Sequence, residues 1–208
     1  MPRLAIFDLD GTLVDSRRDL ADAGNAARAA LGLPALPPEA IVPMIGDGAG
    51  KLIERLTPGC DESARRQAME AFRADYATRL TAHTTTYPGI RELLAELRRR
   101  GWLIAVATNK PAVFARPLLT QLGLQVDGLR GGEGAKKPDP GMLLDLMREL
   151  GATPASTWMI GDHHTDLQAA AASGIRAVHC TWGFGQRDGA TAAAEASHPG
   201  ELVALLDG

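Results

Sequence analysis

Nine residues near the start of the chain decide the fold, and they read Leu4-Ala5-Ile6-Phe7-Asp8-Leu9-Asp10-Gly11-Thr12. The first four, residues 4–7, are all apolar, which is typical of a short strand buried on both faces of a sheet. The other five form a polar, glycine-containing turn. Because a strand buried on both faces needs helices above and below its sheet, this stretch predicts the first strand of an α/β protein.

The rest of the chain alternates between apolar strands and helical patterns from about residue 86 onward. Further strands are predicted at residues 103–107, 126–129, 157–160 and 175–179. Helices are predicted at residues 88–100, 111–122, 140–150, 167–173 and 199–206. This alternation is typical of a doubly wound parallel sheet with helices on both faces. The short alanine-rich tract at 191–196 is expected to be a poorly ordered loop.

Residues 16–82 interrupt this alternation, because they contain helical patterns alone. Ser16 precedes the first of these patterns and is its predicted N-cap. We therefore expect an α/β core made of residues 1–15 and 83–208, with residues 16–82 forming a helical insert after the first strand.

The overall charge and the cysteines exclude some classes of partner and site. The 208 residues include 22 basic and 25 acidic ones, for a net charge of −3, which gives no electrostatic reason to expect nucleic acid or an anionic membrane as a partner. Cys60 and Cys180 form no paired motif, which fits a reducing compartment. The apolar run at 4–7 is too short for an export signal, and no stretch reaches the ~18–20 apolar residues of a membrane span. We therefore expect a cytoplasmic protein.

Polar side chains follow three of the predicted strands, at the point where each strand ends. They are Asp8 and Asp10 after the first strand, Thr108 and Asn109 after the second, and Asp162 and Asp166 after the fourth. Lys137 lies just before a predicted helix. Ligands of an open parallel sheet bind at the carboxyl ends of its strands, so we expect these side chains to meet at one rim of the sheet.

The chemistry of this rim follows from its residue types. Four neighbouring carboxylates repel one another, and a proton or a cation relieves that repulsion. An oxygen-rich set without cysteine favours a hard divalent ion such as Mg²⁺, which pairs carboxylates with substrate phosphate. One aspartate can attack phosphorus to form an aspartyl phosphate, and a second can protonate the leaving oxygen and then activate water. We therefore expect Mg²⁺ as the cofactor and a small-molecule phosphate ester as the substrate.

In their order along the chain, these residues resemble the four motifs of the haloacid dehalogenase superfamily of phosphohydrolases. Residues 8–16 resemble the first motif, Thr108-Asn109 the second, Lys137 the third, and Gly161-Asp162 with Asp166 the fourth. The resemblance spans the whole chain and is nearest to the phosphoglycolate-phosphatase-like branch. It implies a Rossmann-like core, and it implies that the helical insert is a cap domain, hinged near residues 15–16 and 82–86, that closes over the site.

The resemblance also implies a role for each position. Asp8 would be the nucleophile, and Asp10 the general acid and base. Lys137 would take part in catalysis and, with Thr108 and Asn109, would bind the phosphoryl group.

The same resemblance implies a set of magnesium ligands. The metal would be held by the side chains of Asp8 and Asp162 and by the backbone carbonyl of Asp10. Asp166 would act on the metal through water, or would orient the lysine of the third motif. The two histidines at 163–164 lie beside these ligands, but magnesium prefers oxygen, so we assign them to loop polarity or to the substrate side.

A glycine-rich segment, Gly46-Asp47-Gly48-Ala49-Gly50, lies within the helical insert. It follows no strand and no βαβ unit, so it is not a dinucleotide-binding fingerprint. Its glycines allow backbone amides to approach an anion at the start of a helix, although a plain turn with capping glycines explains them equally well. In family terms the segment resembles the cap loop that faces the substrate, which makes Gly46, Gly48 and Lys51 candidate substrate contacts.

Three functions remain open at this point. The first is a Mg²⁺-dependent phosphatase that acts on a small organic phosphate monoester, phosphoglycolate-like, through an aspartyl phosphate. The second is a phosphomutase of the same superfamily, which shares that intermediate. The third is a non-catalytic phosphate-binding or regulatory protein, which the intact acidic residues disfavour. We expect the phosphatase, and we leave open whether it is a monomer or a homodimer.

Overall fold

The computed structural model describes residues 1–207, and a six-stranded parallel sheet lies at its centre. The strands are β1 (Arg3–Phe7), β2 (Val14–Asp15), β3 (Thr85–Thr86), β4 (Trp102–Ala107), β5 (Gly128–Arg130), β6 (Thr157–Gly161), β7 (Arg176–Cys180) and β8 (Ala194–Ala196). The sheet has the order β5-β4-β1-β6-β7-β8, and each neighbouring pair is parallel. This order puts β1, the strand of the opening motif, between β4 and β6.

Helices cover both faces of this sheet. The helices are α1 (Arg17–Ala29), α2 (Pro38–Ile41), α3 (Ala49–Leu56), α4 (Glu62–Thr78), α5 (Ile90–Arg99), α6 (Ala112–Gln121), α7 (Gly141–Leu150), α8 (His164–Ser173) and α9 (Leu202–Asp207). Leu4 and Ile6 of β1 pack with α7 and α8 on one face. Ala5 and Phe7 pack with α5, α6 and α9 on the other face. The predicted doubly wound α/β fold is therefore confirmed. No helix among residues 1–207 has both the length and the apolar character that a membrane crossing needs.

Helices α1 to α4 form the helical insert and have an apolar core of their own. The rings of Phe72 and Tyr76 on α4 stack with their centroids 5.8 Å apart. Phe114, which belongs to α6 beside the sheet, lies edge-on against Tyr76 at 5.4 Å. The core of the insert therefore reaches across to a side chain of the α/β part of the molecule.

The two chain crossings between the sheet and the insert lie side by side. Strands β2 and β3 pair in an antiparallel ribbon, in which Val14 faces Thr86 and Asp15 faces Thr85. The segments that we expected to act as two hinges are thus hydrogen-bonded to each other. Any rotation of the insert would have to bend this ribbon as one unit.

Three local predictions from the sequence differ from the structure. The tract at 191–196 was expected to be a loop, but Ala194–Ala196 form β8, which pairs with β7 at the sheet edge. A strand of three residues is too short to give a periodic signal. Helix α8 begins at His164 rather than at residue 167, because the His163 ring accepts a hydrogen bond from the Thr165 N–H and caps the helix. The Ser16 side chain does not cap α1.

Candidate active site

Three adjacent strands end at one edge of the sheet and bring the predicted site residues together. Asp8 follows β1, Thr108 follows β4 and Asp162 follows β6. All three residues are buried, with at most 8% of their surface exposed. Their position agrees with the rule that ligands of parallel sheets bind at the carboxyl ends of the strands.

Lys137 links two of the aspartates at the centre of this edge. Its Nζ lies 2.8 Å from Asp8 Oδ1 and 2.6 Å from Asp166 Oδ1, and its side chain is 1% exposed. The other oxygen of Asp166 accepts a hydrogen bond from the His163 N–H at 3.0 Å. Buried charges need partners of opposite sign, and this chain of contacts provides them. Both oxygens of Asp166 are therefore engaged, which fits the orienting role better than direct metal ligation.

Asp162 accepts hydrogen bonds from two distant parts of the chain. The Thr12 hydroxyl donates to its Oδ1 at 3.0 Å. The backbone N–H groups of Phe184 and Gly185 donate to its Oδ2 at 3.1 Å and 2.7 Å. A side chain at Gly183 would have no room, because a Cβ there would lie 2.3 Å from Asp162 Oδ2. The loop after β7 thus holds this carboxylate in place, and the sequence analysis did not include that loop in the site.

The acidic residues are close enough to repel one another. One oxygen from each of Asp8, Asp162 and Asp166 can be chosen so that all three lie within 4.8 Å of one another. Burial raises the pKa of Asp8 to about 6, an effect that Lys137 opposes. Burial, followed by the charges of Asp8 and Asp166, raises the pKa of Asp162 to about 8. A divalent cation bound by these carboxylates would lower the pKa values of Asp8 and Asp162. The three carboxylates offer only oxygen ligands, which suit a hard ion.

Asp10 has a partner that the sequence analysis missed. The Lys110 ammonium lies 2.7 Å from each of the two Asp10 carboxylate oxygens. The Ser16 hydroxyl, which was expected to cap α1, donates instead to Asp10 Oδ1 at 2.6 Å. Burial lowers the pKa of Lys110, but the Asp10 charge more than offsets this, so that the pKa lies above its usual value. The available signal was the position of Lys110, directly after Thr108-Asn109.

Asn109 and Thr108 contact protein groups. The Asn109 Nδ2 donates to the Gly46 carbonyl at 3.1 Å and to the Lys137 carbonyl at 2.9 Å. Thr108 Oγ1 accepts a hydrogen bond from the Lys110 N–H at 3.1 Å. The amide of Asn109 thus connects the insert to the lysine segment, and phosphate binding by this side chain stays a prediction.

A cavity of about 50 Å³ lies between this edge of the sheet and the insert. Its polar floor is formed by Asp8, Asp10, Thr108, Asn109 and Lys110, and its other walls by Leu20, Ile45, Gly46, Gly48, Ala49, Leu52, Phe72, Tyr76, Pro111 and Phe114. Of the three candidate contacts in the insert, Gly46 and Gly48 line the cavity. Lys51 does not line it, because it is exposed and its Nζ pairs with Glu54 Oε2 at 2.9 Å.

The glycine-rich segment of the insert packs directly against the α/β core. Gly46 has a φ of +124°, and a Cβ there would lie 2.6 Å from His163 Nε2. Gly48 has a φ of +89°, and a Cβ there would lie 3.3 Å from the Asn109 carbonyl. His164 Nε2 lies 3.9 Å from Asp47 Oδ1 of the same segment. The side chains of His163 and His164 therefore lie against the glycine-rich segment of the insert.

The chain is similar in sequence and in fold to known hydrolases. The model of the haloacid dehalogenase-like hydrolase family matches residues 2–174. A phosphoglycolate phosphatase of Pseudomonas putida is 38% identical over 100% of this chain and 80% of that protein. A phosphoglycolate phosphatase of Chromobacterium violaceum is 39% identical over 91% of this chain and 88% of that protein. The crystal structure of a predicted phosphoglycolate phosphatase from Haemophilus somnus superposes with a TM-score of 0.92 at 27% identity, covering 98% of this chain and 97% of that one.

Proposed function

This chain belongs to the family of haloacid dehalogenase-like hydrolases, and from that premise we propose that it hydrolyses a small, phosphoglycolate-like phosphate monoester through an aspartyl phosphate on Asp8. The family and the similar phosphatases make it a phosphoric monoester hydrolase. The observation that carries the finer proposal is the placement of Asp8, buried at the end of the central strand, beside Lys137 and two residues before Asp10.

The proposed reaction assigns one task to each of these groups. A carboxylate oxygen of Asp8 attacks phosphorus, the bond from phosphorus to the leaving oxygen breaks, and Asp10 gives that oxygen a proton. Asp10 then takes a proton from water, which attacks the phosphorus and restores the Asp8 carboxylate. Lys137 and the backbone N–H groups after β1 and β4 stabilise the charge on the phosphoryl oxygens.

The acidic cluster fits a magnesium ion, which we propose as the cofactor. Asp8 and Asp162 would hold it with their side chains and Asp10 with its backbone carbonyl, while Asp166 orients Lys137. The raised pKa values of Asp8 and Asp162 support this proposal, because burial removes the water that would stabilise their charges and a bound cation would take its place. A bound Mg²⁺ would supply Lewis-acid stabilisation of the phosphoryl oxygens.

We propose that residues 16–82 act as a cap over a core of residues 1–15 and 83–208. The Asn109 contact to Gly46 and the seating of Gly46 on His163 support a closed position in this structure. The cavity has room for about four waters, at roughly 10–15 Å³ each in the same measure. A cavity of about 50 Å³ suits a short leaving group better than the hexose of a sugar-phosphate mutase.

The function is tested by incubating the protein with a panel of small phosphate esters and analysing the products. We expect inorganic phosphate to be released from short esters such as 2-phosphoglycolate, with roughly 100-fold less release in EDTA and recovery on adding Mg²⁺. An isomer of the substrate without free phosphate would identify a mutase. Absence of turnover across the panel with Mg²⁺ would favour the non-catalytic alternative.

Gly46→Ala is expected to raise the KM for a phosphate ester about 10-fold, the equivalent of ~1.4 kcal/mol. The added methyl group would collide with the His163 ring, so that the cap loop no longer sits on the core. Gly59→Ala is the matched control, because Gly59 also has a positive φ, of +77°, but no atom lies within 4 Å of its Cβ position. Equal KM values for Gly46→Ala and Gly59→Ala would contradict a role of the His163 contact in substrate binding.

A further inference from the structure

The loop after β7 acts on both oxygens of the Asp162 carboxylate. The backbone N–H groups of Phe184 and Gly185 donate to Oδ2 at 3.1 Å and 2.7 Å. The Trp182 indole N–H donates at 3.1 Å to the backbone carbonyl of Thr12, whose hydroxyl in turn donates to Asp162 Oδ1 at 3.0 Å. A carboxylate has about four acceptor positions, so the three hydrogen bonds to Asp162 leave one position, on Oδ1, for a cation.

The side chain of Phe184 contacts the insert. Its half-buried ring packs against the apolar core formed by helices α1 to α4. The central guanidinium carbon of Arg17, the first residue of α1, lies 6.0 Å from the centre of this ring. The same residue therefore donates a backbone hydrogen bond to Asp162 and packs its side chain against the insert.

Phe184 provides the only side chain of the segment 183–185, because both of its neighbours are glycines. Neither glycine has room for a side chain, since a Cβ at Gly183 would lie 2.3 Å from Asp162 Oδ2 and one at Gly185 would lie 2.8 Å from the Asp162 carbonyl oxygen. Glycines leave the backbone conformationally free unless other contacts fix it. The contact between the Phe184 ring and the insert therefore helps to hold the two N–H donors at Asp162, and a movement of the insert away from the core removes that contact.

We propose that Phe184 couples the closed position of the insert to cation binding at Asp162. The inference rests on the proposed function, in which Asp162 is a magnesium ligand and residues 16–82 form a cap. When the insert is closed, the Phe184 ring fixes the two N–H donors, and these donors orient the Asp162 carboxylate for the cation. Such coupling is reciprocal, so a bound cation stabilises the closed insert by the same factor. Phe184 is thus a positioning residue, because it acts through Asp162.

The test measures Mg²⁺ binding and the position of the insert separately, in the whole protein without substrate. Titration calorimetry gives the dissociation constant for Mg²⁺, and amide hydrogen exchange of residues 16–82 reports how firmly the insert is closed. In the wild-type protein we expect Mg²⁺ to slow this exchange. Phe184→Ala is expected to bind Mg²⁺ about 10-fold more weakly, because the hydrogen bonds to the charged Asp162 are loosened. Mg²⁺ should then no longer slow the exchange of the insert.

Two further variants show whether the effect belongs to the contact with the insert. Phe184→Leu keeps an apolar side chain at this position and is expected to bind Mg²⁺ within about 3-fold of wild type. Leu144→Ala is the matched control, because Leu144 is 42% exposed on α7 of the core, and it should change neither measurement. Thermal unfolding in EDTA checks that Phe184→Ala is folded, and the smaller truncation Phe184→Val takes its place if it is not.

The outcomes separate this coupling from the proposed function. Weaker Mg²⁺ binding in Phe184→Ala, with loss of the slowed exchange and rescue by Phe184→Leu, supports the coupling. An equal dissociation constant in Phe184→Ala and wild type overturns it and leaves the phosphatase proposal standing. Exchange that Mg²⁺ slows as much in Phe184→Ala as in wild type has the same consequence. A wild-type protein that binds no Mg²⁺ contradicts both the coupling and the proposed cofactor.

Discussion

Asp8→Asn is expected to lower kcat for phosphate-ester hydrolysis roughly 10⁴-fold or more, because it removes the nucleophile and keeps the shape of the side chain. The amide cannot form the acyl phosphate. The fold is expected to survive, since Lys137 keeps its contact to Asp166 at 2.6 Å. The measurement is steady-state phosphate release with saturating Mg²⁺, together with thermal unfolding of both proteins.

Asp145→Asn provides the matched control for this variant. Asp145 lies on α7 and pairs with Arg148 on the outer surface, so the same chemical change there should leave kcat unchanged. An Asp8→Asn protein that folds normally and keeps wild-type kcat would contradict the role of Asp8.

Lys137→Met is expected to have the second large effect, on both stability and activity. The change leaves Asp8 and Asp166 as buried carboxylates without their cation, which should lower the free energy of unfolding by about 3–5 kcal/mol at neutral pH and above. Loss of the ammonium beside the phosphoryl group should lower kcat roughly 100-fold. Lys136→Met is the control, since the neighbouring Lys136 is exposed.

The stability effect of Lys137→Met should depend on pH in a defined direction. The pKa of Asp8 is already raised to about 6 in the folded protein, above its usual value of 3.8, and removing the lysine raises it further. The cost of the buried charge is absent when the carboxyl is protonated and grows as the pH rises through the folded-state pKa. Urea unfolding in EDTA should therefore show a small difference between variant and wild type at about pH 5 and a large one at about pH 8. A difference that shrinks as the pH rises would contradict this account of Lys137.

The parts of the fold that depend on local pattern could be predicted from the sequence. Residues 4–7 alternate between the two cores of the sheet, as a strand buried on both faces must. The polar residues after β1, β4 and β6 meet at one edge, because adjacent parallel strands end together. These predictions needed only side-chain polarity and the rule for ligand position in parallel sheets.

The parts that depend on distant contacts could not be predicted in this way. Asp10 and Lys110 are 100 positions apart, and no periodicity connects them. Asp162 is held by N–H groups of residues 184 and 185, which belong to a loop without any recognisable motif. Lys51 was a reasonable candidate from its place after the glycine-rich segment, but the direction of a side chain on a helix of the insert depends on tertiary packing. In each case the sequence does not show which distant segments pack against each other.

The central claim is that Asp8 carries the phosphoryl group during turnover. A single turnover of excess protein with Mg²⁺ and an ester labelled in its phosphoryl group, stopped by acid within the first turnover and digested for peptide mapping, tests it most directly. The account predicts that the label appears transiently on the peptide containing Asp8, that it decays as inorganic phosphate forms, and that Asp8→Asn gives no labelled peptide. Inorganic phosphate formed with no label on that peptide at any time, or label on another residue, would contradict it.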